Sequence, residues 1–495
     1  MSVWSRFFAE PAPLPVLVRQ AWHPGLIVGL VCLGALIGQL DATIVQLALP
    51  TLGRVFDAPL QHVSWVALAY LAAFVSFLPV FGRLCEMFGR KSLYLVGYFI
   101  FILASALCGL AASFEQLLLF RFLQGMGGAL LGANSISILV KTVSPAQRGR
   151  ALGWFAAAQA VGMSAGPVLG GLLLSTLGWR WIFWLTVPVG ALAFLLGWLA
   201  LPRSAEAGRA EPFDWGGALL IGPALVLVVT VLNHVSRGGL LSGETLGGLA
   251  VVAFLLALLV RRERAAPAPL IHPALFKSPA FCSAAVGVML AYAQLFGMFF
   301  LMSFAQGHGF GEPPGVAGLH LAIIPVALGL TAPFSSRVRE RIGERWIGPV
   351  GMALSLAAVL LLLATLGRVE NHRLSDGIAY GLFGMGLGLY IAPNNHVALA
   401  AVPPALSGPA GALLNLMRAL GTSLGVAGAA SVLALNLAGR AEAAKGWIAT
   451  SGADMVLAVR DSLPVLAGVV LLAALAAASA ARWVAVRAER GNASH

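Results

Sequence analysis

Stretches of about 20 predominantly apolar residues, the length a helix needs to cross about 30 Å of hydrocarbon, recur along the whole chain. They predict spans near residues 25–49, 63–82, 93–112, 116–140, 150–174 and 180–201. Two more follow near 215–235 and 244–260. A last group lies near 280–304, 315–336, 346–366, 374–398, 409–437 and 463–486. None shows the alternation, over about 10 residues, of a membrane-barrel strand, so helix is the form that satisfies the backbone in lipid. The pattern predicts an all-α polytopic membrane protein with 14 transmembrane helices grouped 6 + 2 + 6. The corresponding domains are an N-terminal six-helix bundle (1–201), a two-helix insertion with its linkers (202–279) and a C-terminal six-helix bundle (280–495).

Composition agrees. Of 495 residues 59% are apolar and only 10% charged, which excludes a soluble multidomain enzyme. The net charge of +12 comes from Lys and Arg that punctuate the apolar runs, so it reads as a topology signal rather than a nucleic-acid surface. With both termini cytoplasmic, the inner segments hold 21 basic residues and the outer ones 8; Arg121 and Arg418 fall within spans. About two dozen mixed residues, including Glu10, Pro11, Pro13 and Arg19, precede the first run, which reads as a retained helix and not a cleaved signal. The four cysteines, Cys32, Cys85, Cys108 and Cys282, lie in or beside apolar runs without CxxC spacing, against metal or disulfide roles.

A short motif is repeated. Gly82-Arg-Leu-Cys-Glu86-Met-Phe-Gly89-Arg90-Lys91 follows the second span. Ser336-Arg-Val-Arg-Glu340-Arg-Ile-Gly343-Glu344-Arg345 follows the tenth, 254 residues later. Acidic, glycine and basic positions recur in order, as expected of a transporter with two parallel halves.

On these residues the chain resembles the major facilitator superfamily, in particular its fourteen-span drug:proton antiporter branch. Leu40-Asp41-Ala42-Thr43-Ile44-Val45-Gln46-Leu47-Ala48-Leu49-Pro50 is similar to the first-span signature LDxTIVNVALP, with Gln46 where Asn is usual. Gly82 to Ser92 is similar to the loop motif GxLaDrxGRkx, with Glu86 at the Asp position. Arg121-Phe-Leu-Gln124-Gly125-Met-Gly127-Gly128-Ala129 resembles the fourth-span RxxQGxGgA motif. Gly162 to Gly171, with Gly166, Pro167 and Gly170, resembles the fifth-span motif of exporters. Trp179 to Pro188 resembles WRWIFxxNxP, with Thr186 replacing Asn. The resemblance implies the major facilitator fold and extends over nearly the whole chain.

Of 19 Asp and Glu residues, only Asp41 sits well inside a predicted span; the rest fall in loops or near span ends. A carboxylate at that depth is costly unless paired, hydrated or protonated, which suits it to binding and releasing a coupling proton. The plainer reading is a structural Asp bonded to Gln39 or a facing helix. Helical rise puts Asp41 about 24 Å from the inner end of its span and Arg121 about 8 Å from the outer end of its own, both in the outer half of the membrane. Arg121 is therefore the candidate partner, and the resemblance independently implies a coupling role. Its rival role is bonding helix carbonyls.

Gly82, Arg83, Glu86, Gly89, Arg90 and Lys91 read as an inner loop that anchors topology, and the resemblance adds a conformational latch. Gly162, Gly166 and Gly170 share one helix face, for close packing or for a bend at Pro167, with Gly421 and Gly425 as counterparts. Gln46, Gln124, Asn134, Gln159, Gln294, Asn394, Asn415 and Arg418 are candidate cavity residues; His320 and His396 are weaker candidates for proton carriage.

No GK[ST] motif follows Gly127-Gly128, no hydrophilic connection is long enough for a nucleotide-binding domain, and no metal-ligand spacing occurs, so no cofactor is expected. The expected function is proton-coupled secondary export of small amphipathic compounds or drugs, not enzyme catalysis. One alternative is proton-linked transport of a specific metabolite, lipid or siderophore; another, of a different class, is a non-transporting sensor or scaffold. Expected partners are the small-molecule substrate, protons and membrane lipids, with no nucleic acid, and a periplasmic accessory protein is compatible with a chain that works as a monomer. The expected location is the cell inner membrane or plasma membrane, with both termini cytoplasmic.

Overall fold

A computed structural model describes residues 10, 12–204, 213–238, 242–266, 269–368, 372–440 and 446–492. Arg6, Arg209 and Lys445, counted in the charge balance, lie outside the described residues. Among those described, 14 helices are long and apolar enough to cross a membrane. The first six are α1 (His23–Val55), α2 (Trp65–Phe88), α3 (Arg90–Leu110), α4 (Phe114–Thr142), α5 (Arg148–Thr176) and α6 (Thr186–Ala200), the last preceded by the short turn Trp181–Trp184. The next two are α7 (Trp215–Gly238) and α8 (Gly243–Ala265). The remainder are α9 (Pro279–Phe304), α10 (Pro314–Thr331), α11 (Glu344–Thr365), α12 (His372–Ala400), α13 (Ser407–Ala438) and α14 (Gly452–Asn492).

Two boundaries depart from the hydropathy reading for a common reason: polar residues lower hydropathy without ending a helix. Helix α14 starts at Gly452, not near 463, because Asp454, Arg460 and Asp461 occupy its first turns. Arg440 meets two of them, Asp454 at 3.3 Å and Asp461 at 2.7 Å. The segment from Gly82 to Ser92, expected as a loop, is helical on both sides of one residue. Gly82, Arg83 and Glu86 continue α2, while Arg90 and Lys91 open α3. Gly89 alone breaks the run, at φ 103° and ψ 133°. Gly343 repeats the break before α11, at φ 86° and ψ 153°. Both lie in backbone regions that essentially only glycine occupies without strain.

The chain divides into two compact units. The first comprises Met1–Val45, Trp65–Val226 and Phe254–Leu270; the second comprises Gln46–Ser64, Leu227–Ala253 and Ile271–His495. Helices α1, α7 and α8 thus each contribute to both. In the first unit the helices approach through glycine. A Cβ at Gly162 would strike the Leu36 carbonyl, one at Gly166 the Thr43 hydroxyl, and one at Gly170 would lie 2.7 Å from Ile44 Cγ1. The shared glycine face of α5 is therefore its contact with α1. Gly125 of α4 meets the Tyr70 carbonyl of α2, and Gly127 lies against Phe101 and Gly97 of α3. In the second unit Gly421 and Gly425 of α13 meet the Met289 and Ala293 carbonyls of α9, Gly384 of α12 meets Ile324 of α10, and Gly386 meets Gly351 of α11. Where lipid supplies no hydrophobic drive between helices, such close backbone approach gains the packing contacts that hold a bundle.

Candidate functional site

The polar centre of the first unit is built on α4. Ser113 caps that helix by accepting from the Gln116 amide at 3.2 Å. Two turns further on, Arg121 and Gln124, three residues apart, share a face. The missing side chain at Gly125 brings α4 against α2, so that Arg121 Nε donates to the Val66 carbonyl at 2.9 Å. Arg121 Nη1 then lies 2.8 Å from Asp41 Oδ2 and 2.5 Å from Gln124 Oε1. Gln124 Nε2 donates to Asp41 Oδ1 at 2.9 Å and to Ser105 Oγ of α3 at 2.8 Å. Tyr70 lies beneath the guanidinium, 4.6 Å from ring centroid to Cζ, and Phe183 flanks it at 5.8 Å.

Asp41 and Gln124 are fully buried and Arg121 is 1% exposed, so the network stands in a medium where an unpaired charge is expensive. Both carboxylate oxygens of Asp41 are occupied, one by a cation and one by an amide. Gln39, the rival partner, makes neither bond. The arrangement has a chemical asymmetry. Asp41 holds Arg121 by charge, whereas Arg121 is also fixed by the Val66 carbonyl and by Gln124.

The other residues singled out in the sequence fall into separate places. Glu86, half exposed, is held by Arg83 at 2.9 Å and Arg90 at 3.2 Å. Lys91 is buried, and its Nζ donates to the Leu201 carbonyl at the end of α6 at 2.6 Å. Nearby, Glu10 accepts from Ser204 Oγ at 2.8 Å and from the Ser92 amide at 3.3 Å. Pro167 and Gly171 are buried in α5. Asn134 Nδ2 donates to the Leu130 carbonyl at 3.0 Å and meets Cys85 Sγ at 2.7 Å. Gln46 is buried with Oε1 unpartnered, and Gln159 is half-buried.

In the second unit Gln294 Nε2 meets Met352 Sδ at 3.3 Å, and Asn394 Nδ2 donates to the Ala284 carbonyl at 2.8 Å. Arg418 lies over the Tyr292 ring at 5.1 Å, and Asn415 is half-buried on the same helix. His396 is exposed beside Arg339, and His320 Nδ1 is buried and unpartnered. A buried polar group not expected from the sequence is Asp376 on α12, joined by Gln306 to Tyr380. Its place two residues beyond a span boundary predicted near 374 hid its depth. The signal available was Asp376 and Tyr380 one turn apart on a single helix face.

With this geometry in hand, comparison with known proteins gives a consistent family. The sequence model described as Major Facilitator Superfamily matches residues 31–426. The Tetracenomycin C resistance and export protein of Streptomyces glaucescens is 33% identical over 400 residues, covering 80% of this chain and 73% of that protein. The Riboflavin transporter RibZ of Clostridioides difficile is 28% identical over 420 residues, covering 85% and 90%. In fold, the crystal structure of a bacterial homologue of the human lysosomal transporter Spinster, inward-facing and unoccupied, matches with a TM-score of 0.67 at 15% identity, over 94% of this chain and 98% of that one. The chain is thus a multi-pass membrane protein and belongs to the major facilitator superfamily of transporters.

Proposed function

We propose that the protein is a proton-coupled secondary exporter of small amphipathic compounds or drugs, of the antiporter kind. The observation that carries this reading is the buried Asp41–Arg121–Gln124 network, in which one carboxyl ties α1 to α4 through an amide hydrogen bond and through an ion pair that needs its charge. Substrate and proton compete through Asp41: the protonated acid frees α1 from Arg121, and deprotonation restores the pair, so proton occupancy biases which conformation the bundle adopts. The similarity to an antibiotic resistance and export protein favours outward drug movement. Glu86 with Arg83 and Arg90 serves as the latch beside the Gly89 joint, and the glycines of α5 let α1 move against it.

The location that fits is a cell inner or plasma membrane with both termini cytoplasmic, as the basic residues argue. Substrate, protons and lipids are the partners; an accessory protein across a periplasm is compatible. Similarity to a riboflavin transporter supports a second reading, transport of a single metabolite. Purified protein in liposomes with an imposed pH gradient separates these readings. Wild type is expected to move several fluorescent cations and neutral drugs, and Asp41→Asn to lose gradient-driven movement while remaining folded. Robust gradient-driven transport by Asp41→Asn would remove Asp41 from the coupling role, and movement of riboflavin alone would favour the second reading.

A further inference from the structure

The second unit holds a buried carboxyl that the mechanism above does not use. Asp376, in the second turn of α12, has no solvent exposure. Its hydrogen bond is from Gln306 Nε2 to Oδ2, at 3.2 Å, and the same amide donates to the Tyr380 hydroxyl at 3.1 Å. Asp376 Oδ1 and Gln306 Oε1 have no hydrogen-bond partner. Gln306 arrives from a π turn, Ala305–Gly309, that ends α9. Single π turns within or at the ends of helices are rare and frequent at functional sites.

Among the described residues no cation pairs with Asp376. Arg373, three residues earlier, is taken up by Glu312, with Nε at 2.7 Å and Nη2 at 2.9 Å. His372 Nε2 lies 3.4 Å from the same glutamate and its ring stacks on Phe310 at 3.8 Å. His320 lies on α10, with its Nδ1 buried and unpartnered. On the π turn itself His308 bonds the Thr450 carbonyl at 3.0 Å, and Asp454 of α14 is engaged by Arg440. Among the described residues no Lys, Arg or His forms an ion pair with Asp376. The helix start does not compensate either, since no backbone amide donates to its oxygens.

A buried carboxylate without a cation is strongly disfavoured, whereas the neutral acid is not. The surrounding groups serve both forms through one rotation. The Gln306 amide nitrogen faces Oδ2 and the Tyr380 hydroxyl, an arrangement that solvates the anion. Turned over, its Oε1 accepts from a protonated Oδ2 and from the same hydroxyl, and amide orientation is free to follow the proton.

We propose that Asp376 is a second proton-binding site, separate from Asp41, whose proton is exchanged as Gln306 turns over, so that each transport cycle carries two protons. The transport part of this inference rests on the export reading; the proton-binding part does not.

Two measurements on the full chain in liposomes test it. Infrared difference spectra taken on stepping the pH, without substrate, should contain a protonated-carboxyl C=O band that Asp376→Asn removes and Asp41→Asn leaves. Gln306→Leu should shift that band. Retention of every carboxyl band in Asp376→Asn overturns the proposal, and so does a band that follows sodium concentration at fixed pH, which would make the site one for a monovalent cation. Should Asp376→Asn fail to fold, an unshifted band in Gln306→Leu overturns it instead. In the second measurement, at zero membrane potential, ethidium accumulation in wild type should rise as the square of the imposed proton ratio. In Asp376→Asn it should rise only in proportion, and a proportional rise in both rejects the second proton. Absence of ethidium movement in wild type counts against the export reading, and the infrared result still decides Asp376.

Discussion

In the first unit Gly125 meets the Tyr70 carbonyl and Gly162 the Leu36 carbonyl; in the second, 259 residues on, Gly384 meets Ile324 and Gly421 meets Met289. The same spacing joins Gly127 to Gly386 and Gly166 to Gly425. Backbone approach is therefore repeated in register, but the polar groups are not. At that spacing Arg121 corresponds to Tyr380. At the spacing of Leu36 to Met289, 253 residues, Asp41 corresponds to Gln294. An ion pair in one unit is thus replaced by two neutral side chains in the other, and a buried acid of the second unit, Asp376, sits one turn away from the matching position. The difference teaches that packing and chemistry are separable layers of this fold. Glycine against carbonyl fixes how close two helices come, and a few side chains at that approach decide whether a charge is held there.

Substitutions at matched positions can break or sharpen this contrast. The largest effect is expected from Arg121→Ala, which strands a buried carboxylate and should cost about 3–5 kcal/mol. Tyr380→Phe removes one hydroxyl and should cost about 1 kcal/mol. Unfolding of the purified chain in detergent, followed by tryptophan fluorescence, compares them, and equal losses would erase the distinction between the units. Next in size, Gly162→Val and Gly421→Val each force two helices apart, for about 1–3 kcal/mol. These losses should match, because the approach is shared; a loss in only one unit would deny the repeat its structural meaning. The smallest effect belongs to the paired acids near the glycine joints. Glu86 binds two arginines, whereas Glu340, 254 residues on, is exposed and forms no ion pair among the described residues. Glu86→Gln should change stability by less than about 1 kcal/mol. It should nevertheless raise reagent access to a cysteine placed beside Gly89, while Glu340→Gln leaves access beside Gly343 unchanged.

The helices were legible because lipid imposes one length and one polarity on every span, and Asp41 because it stands near the middle of an apolar run. Arg121 and Gln124 were legible through their motif and their common face. What the sequence did not carry is contact over distance. The Val66 carbonyl beneath Arg121 and the Leu201 carbonyl that receives Lys91 are backbone atoms, with no residue type to announce them. Asp376 escaped for a different reason. Hydropathy averages over a window, so an acid near the start of α12 reads as a boundary residue, although three-dimensional packing closes over it. Helix α2 likewise continues through Arg83 and Glu86 to Phe88, where charge had been read as loop.

The joints at Gly89 and Gly343 also carry a lesson about handedness. Their positive φ values, 103° and 86°, are ones that an L side chain rarely adopts, and a Cβ at Gly343 would meet nothing within 4 Å. At that position chirality and not bulk is what excludes side chains. An alanine at Gly343 would thus be opposed by its own backbone and not by a neighbour, so Gly343→Ala strains the joint without altering a single charge or contact.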